Sequence, residues 1–195
     1  MKHIIHILGL GPTLQFYHQD GNLAIGVNDI WRKVQTPAVL VLDEIFECHN
    51  PTIPPLESEK RQYIFKVIAQ SRPQILYARC ESWDFHPAFK KINTVNPCGP
   101  AIGSLLTLDD EGQLPIGHDS PFTAACLAYH LGATDIVLHG VDFTTHYLGR
   151  DPDTQLVILN YYCRLAMQLK IRAVNLYVNC KSSLLSEVLP WLMKE

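Results

Sequence analysis

Residues 115–143 read PIGHDSPFTAACLAYHLGATDIVLHGVDF, and this stretch decides the fold class. Asp119 or Ser120 suits a helix cap, and Pro121 suits the first turn, where a missing backbone N–H costs nothing. Phe122, Ala125, Cys126 and Tyr129 then share one helical face, and Gly132 supplies a left-handed stop. The run 135–140, DIVLHG, is apolar on both faces, as a parallel strand between two helical layers must be. In an open α/β sheet, ligands bind outside the carboxyl ends of the strands, and Gly140 and Asp142 stand at such an end.

The rest of the chain repeats this alternation. Residues 3–8, HIIHIL, predict a first strand, and Gly9-Leu10-Gly11-Pro12-Thr13 a turn into a helix of one or two turns. Strands are expected over 22–27 and 38–42, ending at Asn28-Asp29 and Asp43-Glu44, with Asp29 capping a short helix through Trp31. Tyr63, Ile64, Val67 and Ile68 give helical spacing within 58–70, which Arg72-Pro73 stops, and a strand follows over 74–78. Residues 79–117 hold many prolines and glycines and read as irregular, with short strands near 92–95 and 104–108. Asp151-Pro152 starts a helix whose buried face is expected at Leu156, Leu159, Cys163 and Ala166. A strand over 172–178 ends at Asn179, and Ser182 or Ser183 caps a last helix to Trp191. The pattern predicts one Rossmann-like domain over residues 1–195, a doubly wound, mainly parallel sheet with helices on both faces.

Composition bounds the function. A chain of 195 residues, 47% hydrophobic, builds one full core. A net charge of -3 gives no general attraction to nucleic acid or to anionic membrane, and the short apolar run at the N-terminus is too brief for a membrane span. Six dispersed cysteines without a CxxC pair read as reduced core residues of a cytoplasmic protein, with neither a disulfide frame nor a zinc site. Association into homo-oligomers through exposed strand edges is left open.

Three predicted strands end in Gly, Asn and Asp, which points to a shared crevice. Glycines at 9 and 11 permit close approach of a phosphate, although neither a third glycine nor the acidic residue of the dinucleotide fingerprint follows. The plain alternative for Gly9 and Gly11 is a tight turn, and for Asn28 and Asp43 it is turn chemistry or capping. His86, alone in a loop, is more simply incidental than an acid or base.

Taken in order, Gly9-Leu10-Gly11-Pro12-Thr13, Val27-Asn28, Ser120, Ala128, Leu131-Gly132, Gly140-Val141-Asp142-Phe143 and His146-Tyr147-Leu148-Gly149 resemble the bacterial sialyltransferases of glycosyltransferase family 42. The closing segment 175–185 adds to the likeness. More distantly the chain is similar to archaeal 6-hydroxymethylpterin pyrophosphokinase-type proteins. The resemblance implies a transferase with a CMP-sugar donor, Gly9, Gly11 and Thr13 near phosphate, and Asn28, Ser120 and Asp142 around sugar or base. It leaves residues 44–114 uncovered and departs from the family twice. Leu10 replaces an asparagine between the glycines, and Arg150, which stays protonated, stands where the family carries its histidine base. The family's lid is reduced here to Thr144–Arg150, so His146 is the candidate base, with Tyr147 and Arg150 steadying the leaving phosphate. The alternatives are Mg²⁺-dependent phosphoryl or pyrophosphoryl transfer using Asp43, Asp119 and Asp142, and a nucleotide-binding protein without catalysis.

Overall fold

The computed structural model describes residues 2–42, 55–95, 108–110, 112–117, 119–143 and 152–192. In chain order these form β1 (Ile4–Leu8), β2 (Leu23–Val27), β3 (Ala38–Val41), α1 (Pro55–Gln70), β4 (Ile75–Ala78), β5 (Phe89–Lys91), β6 (Thr94–Val95), β7 (Leu114–Pro115), α2 (Ser120–His130), β8 (Asp135–His139), α3 (Pro152–Ile171) and β9 (Asn175–Val178). Seven strands make one sheet in the order β5-β4-β3-β2-β1-β8-β9, and every pair is parallel. The chain steps outward from β1 to β5, then returns to the opposite side of β1 for β8 and β9. The strand order therefore reverses between β1 and β8, which is where a doubly wound sheet opens a crevice.

Alternation along the strands assigns the two faces. Ile5, Ile7, Ile25, Ile136 and Leu138 pack with Phe122, Ala125 and Ala128 of α2 and with Ile158, Tyr162, Leu165 and Leu169 of α3. Leu8, Ala24, Val39, Val41 and Leu76 pack on the other side with Ile68 of α1 and with Trp83. Helices thus cover both faces, which is why β8 is buried at all five positions. Between β1 and β2 the predicted helix is only a 3₁₀ turn, Pro12–Phe16.

Two expectations are corrected. The buried stripe of α3 is Ile158, Tyr162, Leu165 and Leu169, one residue out of phase with the expected face, and Leu156 is 62% exposed. Both stripes are apolar, so periodicity alone does not choose; the contact of Tyr162 with α2 does. The last helix is a single 3₁₀ segment, Leu184–Glu187, capped by Ser183. After it the chain extends beside β9, with Val178 N–H donating to Pro190 O at 3.0 Å and Leu192 N–H to Val178 O at 3.1 Å. Of the short strand expected near 104–108, only Leu108 is described, and it is buried outside any strand.

Candidate functional site

The β1 and β8 ends meet through backbone. Gly9 N–H donates to His139 O and Gly11 N–H to Gly140 O, each at 2.8 Å. A Cβ on Gly9 would lie 2.5 Å from Gly140 O, and one on Gly140, whose φ is +64°, would lie 2.5 Å from Gly9 O. Both positions need glycine because two backbone segments touch there, whatever binds nearby. Asp142 completes the closure. Its Oδ2 accepts from Thr13 N–H at 2.7 Å, its Oδ1 accepts from the Thr13 hydroxyl, and that hydroxyl in turn accepts from Gly140 N–H at 3.1 Å. Thr13 and Asp142 are both buried. The amides of Gly9, Gly11 and Thr13 are thus already paired, and a phosphate at this turn needs other donors. One stands close by. Lys33, in the turn after β2, donates from Nζ to Leu10 O at 3.1 Å and sets a positive charge beside the glycine turn. Nothing in the sequence marks Lys33 except its place a few residues past a strand end.

One strand over, the polar groups keep spare capacity. Asn28 follows β2 in a left-handed conformation with φ of 50°, which asparagine tolerates better than most residues. Its N–H donates to Leu40 O at 3.0 Å, and its side-chain Oδ1 accepts from Ser120 Oγ at 3.5 Å. Ser120 opens α2, and both residues are half-buried. The fold therefore brings Asn28 and Ser120 together, a pairing that sequence spacing does not reveal. The neighbouring Asp29 is buried and does not cap its turn; it pairs with Arg32 Nε at 2.7 Å.

Asp119 caps α2. Its Oδ1 accepts from Phe122 N–H at 2.8 Å and from the Tyr162 hydroxyl at 2.7 Å. Burial pushes the carboxyl up to about 6, against these two bonds, which favour the ionised form. Tyr162 is fully buried, and burial with the Asp119 charge holds its phenol well above the ordinary value.

Behind the glycine turn lies a second cluster, in which His6 and His139 are buried and Asp20 is exposed. His6 Nε2 faces Asp20 Oδ2 at 3.2 Å, and His6 Nδ1 faces His139 Nε2 at 2.9 Å. Tyr17 packs edge-on to both imidazoles. A carboxylate only accepts, so His6 donates from Nε2; its Nδ1 in the neutral ring then accepts, and His139 donates from Nε2. That leaves His139 Nδ1 a buried lone pair without a partner among the described residues. Burial and then His6 push His139 down to about 3. Burial opposes ionisation of Asp20, yet the Asn22 hydrogen bonds and His6 outweigh it and lower its pKa.

His86 is structural. It is buried, its Nδ1 accepts from Ala88 N–H at 3.2 Å, and its Nε2 donates to Ser71 O at 3.1 Å. Cys126, Cys163 and Cys180 are free thiols, and no His, Cys, Asp and Glu grouping suited to a metal occurs among the described residues. Asp43, His146, Tyr147 and Arg150 lie outside the described residues. No helix is long and apolar enough to cross a membrane among the residues described.

No family model matches the chain, and no curated protein matches it. Solved structures do. The sialyltransferase CstII from Campylobacter jejuni, in complex with the substrate analogue CMP-3FNeuAc, is 15% identical, over 98% of this chain and 85% of that one, with a TM-score of 0.55. The monofunctional alpha-2,3-sialyltransferase Cst-I from the same organism is 14% identical, over 98% and 81%, at 0.58. The sialyltransferase CST-II with a trisaccharide acceptor and CMP is 14% identical, over 96% and 85%, at 0.55. The architecture is a sialyltransferase-like α/β fold; at these identities the likeness is one of fold.

Proposed function

We propose that this chain is a glycosyltransferase that takes a CMP-sugar donor in the crevice between the end of β2 and the start of α2. The observation that carries the reading is the Asn28–Ser120 pair, a left-handed strand-end asparagine facing a helix-start serine on a fold whose solved examples include complexes with CMP and with a CMP-sugar analogue. Residues held in sparsely populated backbone conformations concentrate at functional sites. Asn28 offers both a donor and an acceptor, and Ser120 a hydroxyl, which suits ribose or base edges. The phosphate is expected beside Lys33.

In the reaction, an acceptor hydroxyl attacks the anomeric carbon while the bond from that carbon to the phosphate oxygen breaks. His146 takes the hydroxyl proton, and Tyr147 and Arg150 stabilise the departing phosphate. The magnesium reading is the weaker one, because both Asp142 oxygens and one Asp119 oxygen already accept protein donors.

The test is release of CMP from a CMP-sialic acid donor, with and without a trisaccharide acceptor, in EDTA and in Mg²⁺. Acceptor-dependent release that falls about a hundredfold in His146→Ala supports the reading. CMP binding without release would leave a binding protein, and release only with Mg²⁺ and a triphosphate would move the assignment to phosphoryl transfer.

A further inference from the structure

We propose that Arg79 and the cleft it lines form a subsite for an anionic group, a carboxylate or a phosphate, on the sugar acceptor. The word acceptor rests on the transferase reading; the anion site rests on geometry. Arg79 follows β4 and its N–H donates to Val41 O at 3.4 Å, whereas Asn28 follows β2 and bonds Leu40 O at 3.0 Å. The two residues flank the end of β3 from opposite sides. Two strand spacings separate them, roughly 10 Å, a distance that one sugar ring and its linkages span.

The cleft is an open depression of about 470 Å³, lined among the described residues by Arg79, Cys80, Glu81, Ser82 and Lys91. Its charges do not cancel. Lys91 pairs with Glu81, and the hydrogen bond and charge of Lys91 lower the Glu81 pKa. Arg79 is half-buried, and no carboxylate among the described residues pairs with it. A guanidinium stays charged at any working pH, and its planar fork matches a carboxylate or phosphate through two parallel hydrogen bonds. A half-buried cation without a carboxylate partner among the described residues, at the carboxyl edge of the sheet, suits an anion from solution.

Cys80 lies in the same cleft and reports on its occupancy. The full chain is alkylated with iodoacetamide in the presence of glucuronate, glucose 6-phosphate or glucose, and the rates at Cys80 and Cys163 are mapped by mass spectrometry. Glucuronate or glucose 6-phosphate is expected to slow Cys80 several-fold, glucose to leave it unchanged, and Cys163 not to respond; which of the two sugars acts names the anion. Arg79→Gln is expected to abolish this protection while CMP affinity and unfolding midpoint are kept. Should Cys80 alkylate too slowly to time, calorimetric titration of the same sugars against both proteins makes the same comparison. Equal effects of glucose and the charged sugars, no effect of any, or undiminished protection in Arg79→Gln would overturn the subsite. Failure of CMP to bind would instead strike the transferase reading and leave the anion result standing.

Discussion

The carboxyl edge of the sheet has two halves that use their polar groups in opposite ways. At β1 and β8, where topology reverses, Gly9 and Gly140 touch backbone to backbone, and Thr13 and Asp142 satisfy one another. At β2 and α2, Asn28 and Ser120 meet at the limit of a hydrogen bond, and Arg79 beyond β3 lacks a carboxylate partner among the described residues. Strand-end glycines and aspartates serve fold closure as readily as ligands. The count of hydrogen bonds already made separates the two uses.

The largest expected effect breaks the closed half. Gly140→Ala puts a Cβ 2.5 Å from the Gly9 carbonyl and leaves alanine at a φ of +64°. Asp142→Ala leaves the Thr13 N–H and hydroxyl unsatisfied in a buried place. Each is expected to cost about 3 kcal/mol, seen as a fall of roughly 6–12 °C in unfolding temperature. A loss under about 1 kcal/mol in both would show that the closure is not what holds these loops.

Acid titration sharpens the contrast between two desolvated groups. His139 is held down to about 3, below the ordinary histidine value, so the unfolded chain binds its proton first and stability falls as pH drops through 6.5 toward 3. Asp119 is raised to about 6, so the folded state binds the extra proton and stability rises as pH drops from 6 toward 3.8. The two slopes, each up to about 1.4 kcal/mol per pH unit, oppose one another between pH 4 and 6. Denaturant unfolding of Asp119→Asn is expected to expose the falling slope on acidification, and that of His139→Phe the rising one. Parallel curves in the two variants would contradict these assignments.

A smaller effect concerns the phosphate. Lys33→Ala is expected to weaken CMP binding about three-fold, with the difference fading in high salt, because an exposed ammonium is screened. No change at low salt would remove Lys33 from the site.

Much of this was legible in the residue pattern. The two-sided apolar run 135–139 and the Gly132 stop announce a parallel strand after a helix, and both stand as read. The α3 face was not legible, because Ile158, Tyr162, Leu165 and Leu169 compete with a second apolar stripe one residue away. Tertiary contacts break that tie, among them the hydrogen bond from Tyr162 to Asp119, across 43 residues, and the packing of Tyr162 on Phe122. The site divides the same way. Residue type marks Gly9, Asn28, Ser120 and Asp142, but whether each is spent on the fold depends on partners as far as 129 residues away, as for Thr13 and Asp142. Lys33 and Arg79 carry no motif, and their standing comes from strand order alone.

The most direct test of the central claim is calorimetric titration of CMP, without metal, against the wild-type chain and Asn28→Gly. Glycine keeps the left-handed backbone and removes only the side chain, so the fold is undisturbed. The account predicts binding by the wild type and about a tenfold loss in the variant, the worth of one hydrogen bond, with little change in unfolding temperature. Equal affinity in the two proteins, or no binding by either, would contradict it.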